Sequence, residues 1–192
     1  MDSVMGLVDL EKHFAFYGAY HSNEVNVAIH TVFVWPILFT AQILLHFTPP
    51  LLTLGFFPLN LCFFSTLFYA LFYIAMDRRA GSLAASLTFF CYFLSSFVAD
   101  SLSFSLAWKV VLPAQLLCWT GQFIGHGVFE KRAPALLDNL VQAFLMAPFF
   151  VLLEALQSCV GYEPYPGFNT KVKARIDADI KQWQEKKQKK HS

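Results

Sequence analysis

Two short stretches hold the side chains with chemistry to offer: HSNEVNVAIH at residues 21–30 and WTGQFIGHGVFEKRAPAL at residues 119–136. The first supplies His21, Asn26 and His30. The second supplies Gln122, His126 and Glu130, spaced by four, which on an α-helix would form one polar stripe. A histidine and a carboxylate one turn apart can reach the same ion. Neutral imidazole suits Fe, Zn or Cu, and two histidines with one carboxylate is the ligand pattern of non-haem Fe(II) oxygenases. His21, His30, His126 and Glu130 are therefore the candidate metal ligands. The chain has six histidines in all, too few for the richer ligand set of a di-iron hydroxylase, so a single ion is expected. Gly125 and Gly127 flank His126 and allow another backbone or a ligand to approach closely.

The spacing sets a condition. His21 and His30 are nine residues apart, and at about 100° per residue they fall on opposite faces of one continuous helix. They converge only if the chain breaks between them. Ser22 and Asn23 are good N-cap residues, so a new helix is expected to start there, after an amphipathic helix over about residues 8–20.

The elements that must position these groups are membrane segments. The chain of 192 residues is 56% apolar and 14% charged, with 22 phenylalanines, which argues against a soluble globule. The net charge of +1 provides no basic field for nucleic acid. Stretches of the length and apolarity of a spanning helix occur at 31–47, 51–76, 83–99 and 106–124, with Pro58 delaying the second and Pro113 kinking the fourth. A fifth, 140–156, is short and contains Gln142, Pro148 and Glu154, so it is expected to be re-entrant or interfacial.

Arg78-Arg79 and Lys131-Arg132 then lie in loops on the cytosolic side, with both termini. The fold expected is all-α: a polytopic membrane helix bundle of about four spans, with an amphipathic N-terminal helix. Residues 1–160 form the membrane domain and 161–192 a basic amphipathic tail. The N-terminus has no basic segment and is not expected to be a cleavable signal. The tail ends Lys189-Lys190-His191-Ser192, a dilysine pattern that suits retrieval to the endoplasmic reticulum. Cys62, Cys91, Cys118 and Cys159 show no CxxC spacing and are expected to be small buried hydrophobes. His13, His46 and His191 are expected to be hydrogen-bonded rather than ligating. Asp100 and Glu154 are expected to be interfacial or structural, with Glu154 also a candidate for holding a ligand in place.

The order and spacing of His21-x4-Asn26-x3-His30, a first span, Gln122-x2-Gly125-His126-x3-Glu130 and then Pro134-Ala135-Leu136 resemble one family, with Pro148 and Glu154 fitting its later portion. This is the endoplasmic-reticulum family of 2-hydroxy-fatty-acid dioxygenases, and the resemblance covers roughly residues 8–160. It implies an Fe(II)-dependent enzyme of α-oxidation. Such an enzyme shortens a 2-hydroxy fatty acid by one carbon, as in phytosphingosine breakdown, with O2 as co-substrate and no need for 2-oxoglutarate. The carboxylate and hydroxyl of the substrate would chelate iron, and the acyl chain would lie among the Phe-rich helices. Asn26 and Gln122 would orient ligands or bind the carboxylate, with Glu130 beside them, and Lys131 or Arg132 would attract the acid's charge.

Two other readings fit the residues. In a non-enzymatic membrane protein that binds lipid or assembles a complex, the polar clusters would be inter-helix hydrogen-bonding groups. In a metal-dependent lipid hydrolase, turnover would not need O2. The sequence does not determine the oligomeric state.

Overall fold

The computed structural model describes residues 6–55, 57–134 and 139–191. Ala135, Leu136 and Ser192, singled out above, lie outside the described residues. Among the described residues seven α-helices follow one another: α1 (Leu10–Ala19), α2 (Glu24–His46), α3 (Leu61–Met76), α4 (Arg78–Ser101), α5 (Phe104–Ile124), α6 (Ala147–Val160) and α7 (Phe168–His191). A wide-wound π segment, π1 (Gly125–Glu130), continues α5, and another, π2 (Gln142–Met146), leads into α6. The chain is thus a helical membrane bundle.

Helix α2 is the central element and touches α3, α4, α5, α6 and π1. Its N-terminus is set by Asn23, whose side-chain oxygen accepts from the N–H groups of Val25 and Asn26. Helix α3 starts later than its apolar stretch does. A two-stranded antiparallel hairpin, β1 (Leu52–Leu54) with β2 (Phe57–Leu59), occupies the beginning, and Asn60 caps the helix by accepting from Phe63 N–H. With 16 residues, α3 is shorter than the roughly 20 that cross a bilayer unaided.

Polarity is inverted relative to a soluble bundle. Asn26, His30, Gln42, Thr66, Thr88, Ser95, Gln122 and Gln142 are buried, while Phe90, Phe93, Phe97, Leu116 and Leu117 are exposed. Apolar side chains on the outside and hydrogen-bonding ones between helices are the arrangement that hydrocarbon solvent favours. Gln42 Nε2 donates to Thr66 Oγ1 at 2.9 Å, and Asn60 Nδ2 to the His46 carbonyl at 3.1 Å, tying the helices together. His46 itself is hydrogen-bonded to the Tyr92 carbonyl and Ser95 Oγ, and His13 to the Gly6 carbonyl. All four cysteines are free. Cys62 and Cys118 are buried, whereas Cys159 is exposed on the last turn of α6.

Among the described residues three helical segments are long and apolar enough to cross a membrane: Glu24–His46, Arg78–Ser101 and Gln142–Val160. The third includes the stretch 140–156 expected to be re-entrant or interfacial; by length and apolarity it is a candidate span. Tyr69 hydroxyl donates to the Phe144 carbonyl, Tyr73 hydroxyl to the Leu145 carbonyl and Tyr162 hydroxyl to Asp77 Oδ1, which fasten this segment to α3 and the turn after it.

The tail helix α7 packs on α1. Phe168 and Val172 belong to the main core with Phe14 and Phe150, and Arg175 pairs with Glu11 at 2.7 Å. The expected tail thus rests on the protein's own first helix.

Candidate metal centre

The chain breaks where the two N-terminal histidines require it. Helix α1 ends at Ala19, α2 begins at Glu24, and His21 lies in the turn between them. His21 Nδ1 lies 2.7 Å from the Tyr17 carbonyl, and the imidazole stacks on the Tyr17 ring with centroids 3.9 Å apart. His30 lies nearly two turns into α2, with Nδ1 2.9 Å from the Asn26 carbonyl. A carbonyl can only accept, so each imidazole carries its proton on Nδ1 and presents the lone pair of Nε2. His126 comes from the other end of the sequence, on π1.

The three rings converge. Their centroids are 4.3 Å apart for His21–His30, 4.9 Å for His21–His126 and 4.8 Å for His30–His126. One ligand atom from each lies within 4.8 Å of the others, and all three residues are buried. His21 Nε2 and His126 Nδ1 are buried without a hydrogen-bond partner, which is costly for a polar atom unless something else satisfies it. Burial, followed by the neighbouring imidazoles, pushes His21 well below the usual histidine range, and burial with nearby Arg132 pushes His126 down to about 4. Three neutral imidazoles with unsatisfied ring nitrogens fit a transition-metal ion.

Glu130 meets the histidines indirectly. Its carboxylate accepts from Ser22 N–H at 3.1 Å, Asn23 N–H at 3.0 Å and Asn26 Nδ2 at 3.1 Å. It thus sits at the N-terminus of α2, where unpaired N–H groups and the helix dipole favour a negative charge. Asn26 is wholly buried and also donates to the Tyr20 carbonyl at 3.2 Å. Glu130 and Asn26 together join π1, the His21 turn and α2. Of the two glycines, only Gly125 is at a close approach. A Cβ there would come within 3.0 Å of Asn26 Oδ1, whereas one at Gly127 would meet nothing within 4 Å.

A cavity of about 210 Å³ opens from the histidines. His21, His30, His126, Gln122, Gln142 and Tyr17 form its polar end, and residues of α2, α5 and π2–α6 form an apolar limb. Gln122 Nε2 is buried without a partner. Lys131 is exposed, in a left-handed backbone conformation at φ 56°, and does not line the cavity. Arg132 turns the other way. It donates to the Ala19 carbonyl at 2.7 Å, pairs with Asp179 at 3.5 Å and lies 3.6 Å over the Tyr20 ring.

Tyr17 was not apparent as a site residue from sequence. Its hydroxyl donates to Glu154 Oε2 at 3.0 Å, and burial beside that carboxylate raises its pKa well above the usual phenol value. The available signal was its position one helical turn before His21.

A membrane helix bundle with a buried three-histidine group at the head of an apolar cavity defines a membrane protein whose polar cluster could hold a metal ion beside an apolar ligand. Comparison with known proteins is more specific. Residues 7–159 match the family described as 2-hydroxy-palmitic acid dioxygenase Mpo1-like, and the chain belongs to that family. It is 35% identical over 175 residues to the 2-hydroxy-palmitic acid dioxygenase MPO1 of Saccharomyces cerevisiae, a match covering 91% of each chain. No solved structure matches it.

Proposed function

We propose that this protein is a dioxygenase that shortens 2-hydroxy fatty acids by one carbon, using one iron ion held by His21, His30 and His126. The observation that carries this reading is the convergence of three buried neutral imidazoles at the polar end of an apolar cavity, in a chain of the Mpo1-like family. Fe(II), when bound, would supply a site for O2 and for chelation by the substrate's carboxylate and hydroxyl oxygens. The overall conversion balances with O2 alone: one 2-hydroxy acid and one O2 give the acid one carbon shorter, CO2 and water. No external reductant is required.

The protein's own groups do the rest. The carbonyls of Tyr17 and Asn26 fix the tautomers of His21 and His30. Gln122 Nε2, buried and without a partner, is a donor for the substrate carboxylate. The apolar limb excludes water from the C1–C2 bond, and the Asn26–Glu130 clamp keeps the two halves of the ligand set together. The cationic loops Arg78-Arg79 and Lys131-Arg132 support a cytosolic placement of the histidine face, in a protein of the endoplasmic-reticulum membrane.

The test pairs metal analysis with turnover. Purified protein reconstituted with Fe(II) should bind one iron and convert a 2-hydroxy fatty acid in the presence of O2. His21→Ala, His30→Ala and His126→Ala should each lose both properties. Full activity in all three variants refutes the ligand assignment, and turnover without O2 refutes the reaction.

A further inference from the structure

The cavity has a direction and an end. Along α2 its lining runs from His30 to Ala41, and along α5 from His126 back to Gln115. Each pair is eleven residues apart, so both antiparallel helices give the same length, about 16 Å at the α-helical rise. The far end is closed in hydrogen-bonding terms. Gln115 Nε2 donates to the Ile37 carbonyl at 2.9 Å and to Thr40 Oγ1 at 2.7 Å, and its Oε1 accepts from Trp119 Nε1 at 2.9 Å. With both amide protons and an oxygen lone pair engaged, Gln115 has little left for a polar ligand, and beyond Gln122 and Gln142 the lining towards it is aliphatic or aromatic. Ala41 is the smallest side chain at that end.

We propose that this limb is an acyl-chain subsite with Ala41 and Gln115 as its floor, and that the size of residue 41 sets the chain length accepted. The proposal rests on the dioxygenase reading for its head group, since the carboxylate and hydroxyl must lie at the histidines for the tail to reach the floor. An extended alkyl chain advances about 1.25 Å per carbon, so about 16 Å takes some thirteen carbons, and the acid as a whole has about fifteen. Long-chain 2-hydroxy acids fit this length, and very-long-chain acids have to leave their ends outside.

Two measurements test the assignment. Ala41→Phe fills the floor and displaces about three methylenes. At about 0.8 kcal/mol each, the ratio of kcat/KM for 2-hydroxypalmitate over 2-hydroxydecanoate should fall roughly 50-fold, and Ala41→Val should give a smaller fall in the same direction. An unchanged ratio in a variant that still binds iron overturns the proposal. In the unmodified protein, a 2-hydroxypalmitate bearing a terminal photoreactive diazirine should label the peptides containing Ala41 or Gln115. Labelling confined to α1 or α7 overturns the proposal whether or not the variants fold. If the floor is labelled while no 2-hydroxy acid is turned over, the subsite stands and the dioxygenase reading fails.

Discussion

Gly125→Ala adds one methyl group between π1 and α2, and its effect follows from the contacts. The new Cβ would lie within 3.0 Å of Asn26 Oδ1, 3.4 Å from Asn26 Cγ and 3.6 Å from Ile29 Cδ1. Restoring ordinary contact requires a separation of about 1 Å, and overpacking of this kind costs about 1–3 kcal/mol. Asn26 cannot rotate away freely, because it is wholly buried and its amide bridges the Tyr20 carbonyl and Glu130. The strain is therefore expressed as movement of π1 from α2, which separates His126 from His30. Misplacement by about 1 Å at a reacting centre lowers turnover about 100-fold. Gly127→Ala is the internal control, because its Cβ would meet nothing within 4 Å. Thermal unfolding, iron stoichiometry and turnover should be measured on both variants in the same detergent. Gly125→Ala should unfold earlier, bind iron more weakly and lose most turnover, while Gly127→Ala should match the unsubstituted protein. Equal behaviour of the two variants refutes the close-packing argument.

Glu130→Ala should destabilise the protein by about 1–3 kcal/mol by stranding the donors of Ser22, Asn23 and Asn26, readable by thermal unfolding. Glu130→Gln retains an acceptor, so it should lose less stability. If the residue acts as a clamp, that variant should still bind one iron by metal analysis. For metal-free protein, stability should depend on pH through His21 and His126, whose folded pKa values are depressed. Unfolded histidines take up protons near pH 6.5, so stability should be full above that value. It should fall as the pH drops towards 4, as followed by chemical unfolding at a series of pH values. Arg132→Ala removes the hydrogen bond to the Ala19 carbonyl and the stacking over Tyr20. It should increase protease cleavage within residues 19–23 while leaving α4 protected.

The three-histidine cluster was legible because buried-type polar chemistry of this kind is rare in an apolar chain. The break at Ser22-Asn23 was legible for a local reason: Asn23 is a strong N-cap, and the structure uses it as one. The winding of residues 125–130 was not. Spacing by four suggested a regular polar stripe, whereas a π segment is stabilised by what it packs on, here Asn26 and the His21 turn, which no local pattern encodes. Glu130 illustrates the same limit. Its partners are mostly backbone N–H groups, and these have no sequence signature. Tyr17 lay within an ordinary amphipathic helix, and only its stacking on His21 distinguishes it. The delayed start of α3 was legible at Pro58, whereas the β-hairpin before it was not, because its strands are as apolar as the helix that follows.

The packing of α7 on α1 ties together segments that are far apart along the chain. Phe168, Val172 and Arg175, which hold α1, are made well after it. The turn with His21 hangs from α1, so the position of His21 depends on a helix that follows it by most of the bundle. A nascent chain can carry all three histidines and still lack the support that aligns them until α7 has been made.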